Sequence, residues 1–241
     1  MSRLKADKKP RALRYASTGV RKVIHRTGTA AKVIGPLRPG DSVTGLTAGQ
    51  FSAIDAMEHM VDELGPAAVR ISTWTTGIYD VKRTRAIKVS GRITDVRVLL
   101  DRGTFEKSPK YAGPLIEILG VDAFRCLSVH AKVIIVSGAR GSAVMRTSMN
   151  LNKNLRTEQF DIDVCDEVAR FYIDWFDALW LQSGITQNNR EIIKAVYDRF
   201  LAENPAEEPS PVEAPADPPA APNVSDVSMS AAEFERFLDD L

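Results

Sequence analysis

The sequence predicts an α/β domain in which a mixed β-sheet is sandwiched between flanking helices, with disordered tails on either side. Two observations lead to this prediction. Segments with helical and strand periodicity alternate early in the chain, whereas strand-like segments follow one another closely later, and this combination is typical of a mixed sheet covered by helices. The length of 241 residues, 44% of them hydrophobic, suits one main domain with a core of ordinary size.

The first predicted elements lie between residues 49 and 101. Residues 49 to 64 carry their apolar side chains on one helical stripe, so we expect an amphipathic helix. Gly65 and Pro66 end this helix, and the apolar run that follows, to residue 74, indicates a buried strand. A polar, helical stretch to about residue 90 and a second strand over residues 95 to 101 come next.

The later elements are mostly strands, followed by two long helices. A helix ended by Gly120 precedes the strands, and the aromatic side chains after them recur at helical spacing. The predicted ranges are a helix over 111–119, strands over 123–129, 130–136, 142–147 and 160–164, and helices over 167–181 and 189–202.

Charge is segregated to the two ends of the chain. Residues 1 to 40 hold 11 Lys and Arg against one acid, whereas residues 202 to 241 hold 10 acids against one Arg. Seven prolines between residues 205 and 222 indicate a linker, and Ser230 with Glu233 begins a short amphipathic helix. We therefore expect a basic arm (1–44), an α/β domain (45–203), a linker rich in Pro, Ala and Glu (204–228) and an acidic amphipathic tail (229–241).

The basic arm has two readings, a solvated charged tail or a contact for nucleic acid. Counterion release makes a basic arm an effective, sequence-independent contact for a phosphate backbone. The arm residues that we expect to bind nucleic acid are Lys8, Lys9, Arg11, Arg14, Arg21 and Lys22. The acidic tail has three readings: it covers the basic surface as a competitor, it docks onto a partner protein, or it only aids solubility.

Composition excludes several classes of protein. No run approaches the roughly 18 apolar residues of a membrane span, and the charged start of the chain does not resemble a secretion signal. Cys126 and Cys165 stand apart from each other and from any Cys or His cluster, so we expect neither a disulfide scaffold nor a zinc site. We expect a cytoplasmic protein without a zinc site or a cofactor.

Of the three histidines, one has an informative context. His25 lies in the basic arm, and His59 falls on the polar face of the first predicted helix, so we expect both at the surface. His130 opens an apolar strand, and strand alternation places Lys132 on the same side. Such a pair is either incidental and exposed or suited to holding phosphate.

The segment after the next strand supplies further polar groups. Residues 147 to 158 are dense in hydroxyl, amide and cationic groups and end in Glu158. Antiparallel pairing would bring Ser148 and Asn150 near His130 and Lys132. This set suits phosphoryl transfer, with the imidazole as nucleophile, the ammonium neutralising phosphate oxygens, the hydroxyl and amide donating hydrogen bonds, and the carboxylate orienting the imidazole.

These residues resemble a motif of the phospholipase D superfamily, H-x-K-x4-D followed by G-S-x-N and a later Glu. The match consists of His130-Ala131-Lys132, Thr147-Ser148-Met149-Asn150 and Glu158, and the similarity extends over roughly residues 45 to 185. Two positions depart from the pattern: Ser137 stands in place of the Asp, and Thr147 in place of the Gly.

The resemblance implies a function as well as a fold. Family members use two such histidines, so a chain with one copy resembles those that build one site across a homodimer. The short, single-motif members are nucleases that work without a metal. We therefore expect a phosphodiesterase, a hydrolase that cuts nucleic acid through a phosphohistidine. DNA is the expected partner, and the choices of DNA against RNA and of single against double strand stay open.

Three alternatives stay open. Ser137 in the Asp position favours a nucleic-acid-binding protein that keeps the phosphate pocket without turnover. A lipid phosphodiesterase has less support, because no apolar surface helix is evident. A purely structural protein is the third.

Overall fold

The computed structural model describes residues 21–24, 29–73, 78–103, 109–151, 156–184 and 187–205. The strands are β1 (Arg21–Ile24), β2 (Ser42–Thr47), β3 (Ala67–Thr73), β4 (Ile93–Asp101), β5 (Phe124–Leu127), β6 (Val133–Gly138), β7 (Gly141–Thr147) and β8 (Glu158–Asp163). The helices are α1 (Ala30–Ile34), α2 (Ala53–Leu64), α3 (Ile78–Val89), α4 (Pro109–Leu119), α5 (Asp166–Gly184) and α6 (Gln187–Glu203).

The described strands form one mixed sheet of 8 strands in the order β1-β2-β8-β7-β6-β3-β4-β5. Strands β3, β4 and β5 run parallel to one another, whereas β6, β7 and β8 pair antiparallel with their neighbours. The predicted α/β class, with a mixed sheet between helices, is confirmed. Within the described ranges, no helix is both long and apolar enough to cross a membrane.

Strand alternation divides the core between the two faces of the sheet. On β6, Ile134 and Val136 belong to the larger hydrophobic cluster, whereas Val133 and Ile135 belong to the smaller one. The larger cluster includes apolar side chains of α1, α2, α4 and α6. The smaller cluster is covered by α5, through Val168, Phe176 and other side chains. Burial on both faces explains the continuous apolar run of β6.

The folded domain begins before residue 45, inside the range that the sequence assigns to the basic arm. Strand β1 pairs in parallel with β2, and β2 pairs antiparallel with β8. Gly45 in β2 makes this pairing possible, because a Cβ there would lie only 2.6 Å from the ring of Phe160. The arm before residue 21, His25, the linker from residue 206 and the acidic tail all lie outside the described residues.

The surface position predicted for His59 is wrong. Its side chain is buried, and its Nε2 lies 2.7 Å from the carbonyl oxygen of Gly35, directly after α1. The sequence did not predict α1, and this short helix packs against α2. The face of α2 that carries His59 is therefore covered.

A side chain of α6 protects the edge of the sheet at β5. Asn189 is buried; its Oδ1 accepts a hydrogen bond from the backbone N of Cys126 at 3.0 Å, and its Nδ2 donates to the carbonyl oxygen of Cys126 at 2.6 Å. One amide thus satisfies both backbone groups that a further strand would bind.

Replacing Asn189 with alanine should lower the free energy of unfolding by about 2–4 kcal/mol, because it leaves a buried donor and a buried acceptor without partners. Urea denaturation measures this loss. Asn204→Ala is the matched control, since Asn204 is exposed and bonds only the carbonyl oxygen of Phe200, and it should change stability by less than about 0.5 kcal/mol. Equal effects of the two substitutions would contradict this role of Asn189.

Candidate active site

The candidate site lies at the edge of the sheet where the parallel strands β3, β4 and β5 end. Ligands of α/β proteins commonly bind outside the carboxyl ends of such strands. Strand β6 begins at this edge, β7 ends there and β8 begins there. The polar groups at these strand ends therefore come together.

The segment of His130 and Lys132 is not part of the strand that the sequence predicts from residue 130. Strand β6 begins only at Val133. The preceding residues are held by individual hydrogen bonds: the carbonyl oxygen of Ala131 accepts from Ser72 Oγ at 2.8 Å, and that of Lys132 accepts from the backbone N of Thr147 at 3.1 Å. This anchorage fixes the segment against β3 and β7, with the side chain of His130 exposed.

Ser148 and Glu158 meet where β7 and β8 pair. The backbone N of Ser148 donates to the carbonyl oxygen of Gln159 at 3.1 Å, and the backbone N of Gln159 donates to Ser148 Oγ at 3.0 Å. Ser148 Oγ in turn donates to the carboxylate of Glu158. The register of this hairpin thus joins a hydroxyl and a carboxylate that are ten residues apart in sequence.

Lys132 adds a half-buried ammonium group to this pair. Burial lowers the pKa of Lys132 from its ordinary value, and the negative charge of Glu158 acts in the opposite direction. The Nζ of Lys132 also lies 3.4 Å from the carbonyl oxygen of His130. Lys132, Glu158 and Ser148 therefore form one electrostatically linked group next to the backbone of His130.

Asn150 carries a polar atom that the protein leaves unsatisfied. Its Oδ1 is buried and has no hydrogen-bond partner among the described residues. The chain at this point is anchored by the backbone N of Leu151, which donates to the buried Thr73 Oγ1 at 3.4 Å. A buried polar atom without a partner costs free energy. A ligand at this site could supply that partner, and a half-turn of the amide would present its Nδ2 donors instead.

The two departures from the family motif have different positions. Ser137 lies near the far end of β6, opposite Ser142, and the five-residue separation from Lys132 corresponds to roughly 16 Å along an extended chain. It is therefore remote from the polar groups at the start of β6. Thr147 lies beside the site, where its Oγ1 donates to the carbonyl oxygen of Gln159 at 2.5 Å and accepts from the backbone N of Met149 at 3.0 Å.

The residues predicted for the site therefore divide into two groups. The five from the motif lie at the edge of the sheet just described: His130, Lys132, Ser148, Asn150 and Glu158. The predicted nucleic-acid contacts Lys8, Lys9, Arg11 and Arg14 lie outside the described residues, and only the backbone of Arg21 and Lys22 is described, in β1.

Sequence reasoning missed the residues that hold the site in place. Ser72 and Thr73 end the buried strand β3, and their side chains anchor the two segments that carry the polar groups. Two consecutive hydroxyl residues at the end of an apolar strand were the available signal. In the part of the chain that the structure describes, no three His, Cys, Asp or Glu side chains are grouped closely enough to hold a metal ion.

The chain is similar to solved structures but matches no family model. No protein-family model matches the chain, and no curated protein matches it. Among solved structures, the chain is similar to one described as the crystal structure of a phospholipase D family member, Nuc from Salmonella typhimurium. The two are 17% identical, with a TM-score of 0.44, over 58% of this chain and 94% of that chain.

Proposed function

We propose that this protein is a metal-independent phosphodiesterase that cuts nucleic acid through a phosphohistidine, at a site shared between two copies of the chain. One observation carries the proposal. The ammonium of Lys132, the hydroxyl of Ser148 and the unsatisfied amide of Asn150 lie at one edge of the sheet, beside His130. Positive charge and hydrogen-bond donors around a histidine suit attack on a phosphodiester.

The first half-reaction forms a bond between an imidazole nitrogen of His130 and phosphorus, and breaks the bond between phosphorus and the leaving oxygen. Lys132, Ser148 and Asn150 stabilise the negative charge on the nonbridging oxygens. His130 of the second copy donates its proton to the leaving oxygen, which departs as a hydroxyl. Glu158 accepts the hydrogen bond of Ser148, and in this mechanism it also keeps the imidazole of His130 in the tautomer that attacks phosphorus.

The second half-reaction releases the product. His130 of the second copy, now neutral, takes a proton from water, and the resulting hydroxide attacks phosphorus. The bond between phosphorus and nitrogen breaks, which leaves a phosphate monoester and restores both histidines. Every proton is moved by a histidine, so the cycle requires no metal.

The non-catalytic alternative depended on Ser137, and that residue lies at the far end of β6 from Lys132. Turnover distinguishes the two readings directly. Cleavage of a nucleic acid by the full chain in the presence of EDTA supports the enzyme. Binding of the same nucleic acid without any cleavage would leave a binding protein.

A shared site predicts how activity depends on the fraction of functional copies. When wild-type chain and His130→Ala chain exchange subunits, only dimers with two His130 side chains should work, so an equal mixture should keep about a quarter of the wild-type activity at the same total concentration. The assay is run after equilibration at several mixing ratios. A linear dependence, with about half of the activity in the equal mixture, would show that each chain works alone.

The depressed pKa of Lys132 predicts a pH limit on activity. Because only the protonated ammonium stabilises the phosphate oxygens, kcat/KM should fall as the pH rises through that pKa, below the ordinary lysine value of 10.5. Glu158→Gln removes the carboxylate that raises this pKa, so the alkaline limb should move to lower pH, whatever the loss in rate. Lys132→Arg is the control, since a guanidinium does not titrate in this range and the limb should vanish.

The lowered pKa of Lys132 affects stability in the direction opposite to its effect on activity: activity falls as the pH rises, whereas the free energy of unfolding increases. The folded-state pKa lies below the unfolded value, so protonation favours unfolding and stability rises with pH between the two values. If neither Glu158→Gln nor Lys132→Arg moves the alkaline limb of kcat/KM, a group other than Lys132 is responsible for that limb.

A further inference from the structure

We propose that an arginine cluster at the β5 edge of the sheet is a second oxyanion site, which holds a backbone phosphate of the nucleic acid away from the phosphate that is cut. The cluster consists of four arginines and the aromatic ring against which two of them pack: Arg70, Arg97, Arg125, Arg190 and Trp180. This inference rests on the proposed function for the identity of the ligand.

Arg125 is the centre of the cluster and is held rigidly. Its guanidinium carbon lies 4.3 Å from the ring centroid of Trp180, and the guanidinium carbon of Arg97 lies 5.7 Å from the same centroid. One Nη of Arg125 donates to the carbonyl oxygen of Phe124 at 2.8 Å. Its Nε is buried and finds no acceptor among the described residues. Stacking and backbone bonding thus fix the position of a cation whose donors are only partly used.

The carboxylates near Arg125 form ion pairs with the other three arginines of the cluster. Asp177 binds Arg70 through two hydrogen bonds, at 3.0 and 3.1 Å.

Arg97 pairs with Asp95 at 3.2 Å and lies 3.6 Å from Asp177, and Arg190 pairs with Asp122 at 3.2 Å. None of the described carboxylates forms an ion pair with Arg125. Four guanidiniums and three carboxylates thus leave one positive charge uncompensated.

The surroundings make this cation unfavourable without a ligand. Burial lowers the pKa of Arg125; Asp122 counteracts this from a distance, whereas the positive charges of Arg190 and Arg97 lower the pKa further. A partly buried cation is stable when an anion pairs with it. The guanidinium matches the geometry of a phosphate group, to which it can donate two parallel hydrogen bonds.

Part of the cluster lines a cavity, and Arg125 lies close in sequence to the candidate active site. A cavity of about 350 Å³ adjoins it, with Arg97, Asp122 and Trp180 in its lining. Arg125 and His130 are five positions apart in sequence, so their Cα atoms lie no more than roughly 18 Å apart. That is the length of about five base steps of duplex DNA at 3.4 Å each. One bound strand is therefore long enough to span the two Cα positions.

The test compares Arg125→Gln with Arg199→Gln, both in a full chain that carries His130→Ala so that the nucleic acid stays intact. Arg199 is the matched control because it is exposed on α6 and pairs across one helical turn with Glu203 at 3.8 Å. Fluorescence anisotropy of a labelled DNA duplex is measured over a range of NaCl concentrations. Arg125→Gln should weaken binding several-fold and lower the slope of log affinity against log salt by about 0.9, the effect of one lost phosphate contact. Equal affinities and slopes for the two variants would overturn the backbone-phosphate assignment.

A second measurement does not depend on the proposed function. Inorganic phosphate is titrated into the wild-type chain while the Nε–Hε NMR signal of Arg125 is followed, and the melting temperature is recorded with and without phosphate. Phosphate should shift this signal and should stabilise the wild type more than Arg125→Gln, because phosphate bound at the candidate active site would stabilise both chains alike. An unchanged Arg125 signal, together with equal stabilisation of the wild type and Arg125→Gln by phosphate, would overturn the oxyanion site. If the chain binds no nucleic acid at all, the proposed function fails, and the phosphate titration alone decides whether the site exists.

Discussion

Replacing His130 with alanine is expected to lower phosphodiester cleavage by several orders of magnitude, since the shared site then loses both its nucleophile and its general acid. Lys132→Ala or Asn150→Ala removes one contact to the developing negative charge and should cost roughly a hundred- to a thousandfold. The measurement is cleavage of a labelled oligonucleotide by each full-length variant, with EDTA present throughout. The folded state of each variant is checked by its thermal unfolding.

Two controls separate a chemical role of His130 from a structural one. His130 is exposed, so its removal should leave the melting temperature within a few degrees of the wild type. Imidazole added to the solution should restore part of the activity of His130→Ala, because it can enter the space of the lost side chain. Activity that survives the substitution, or that EDTA abolishes and magnesium restores, would show that the mechanism is wrong.

Sequence reasoning succeeded where local pattern determines structure. The predicted antiparallel pairing brings the end of β7 beside Lys132, and the predicted apolar strand is β6, although it begins at Val133 rather than at His130. These relations depend on residues that are near in sequence or directly paired. The motif residues lie at one edge of the sheet, and their role in catalysis stays a prediction.

The features that the sequence missed arise from contacts between distant segments. Strand β2 has little apolar character of its own and is stabilised by pairing with β8, more than 100 residues away. The burial of His59 likewise depends on α1, and the residue pattern of α2, which carries His59, does not predict α1. Arg125 and Trp180 meet only because α5 crosses the sheet. Periodicity is a property of one helix or strand at a time, so it does not predict contacts between distant elements.

The second large effect is expected from the basic residues that precede β1. Since residues 21–24 and 29–47 contribute to the sheet or pack beside it, a deletion to residue 40 would damage the fold. The appropriate variant keeps the chain length and replaces with glutamine the six cations of residues 1 to 20: Arg3, Lys5, Lys8, Lys9, Arg11 and Arg14.

If these six cations contact phosphates, the wild type should lose roughly a thousandfold in affinity for duplex DNA between 50 and 200 mM salt. The substituted chain should show a log–log salt slope lower by about 5, because each phosphate contact contributes about 0.9. A control that replaces the exposed helix cations Arg85, Lys194 and Arg199 should leave the slope nearly unchanged. An unchanged slope in the six-residue variant would refute the arm as a nucleic-acid contact.

Removing residues 206–241 in the same assay separates the roles of the acidic tail. These residues carry 9 acidic side chains against Arg236 alone, so a tail that competes with nucleic acid for the arm should, when removed, strengthen binding most at low salt, where charge interactions are least screened. In the six-residue variant the same removal should then have much less effect, because the surface for which the tail competes is gone. Unchanged binding in both chains would instead favour a tail that docks onto a partner protein or only aids solubility.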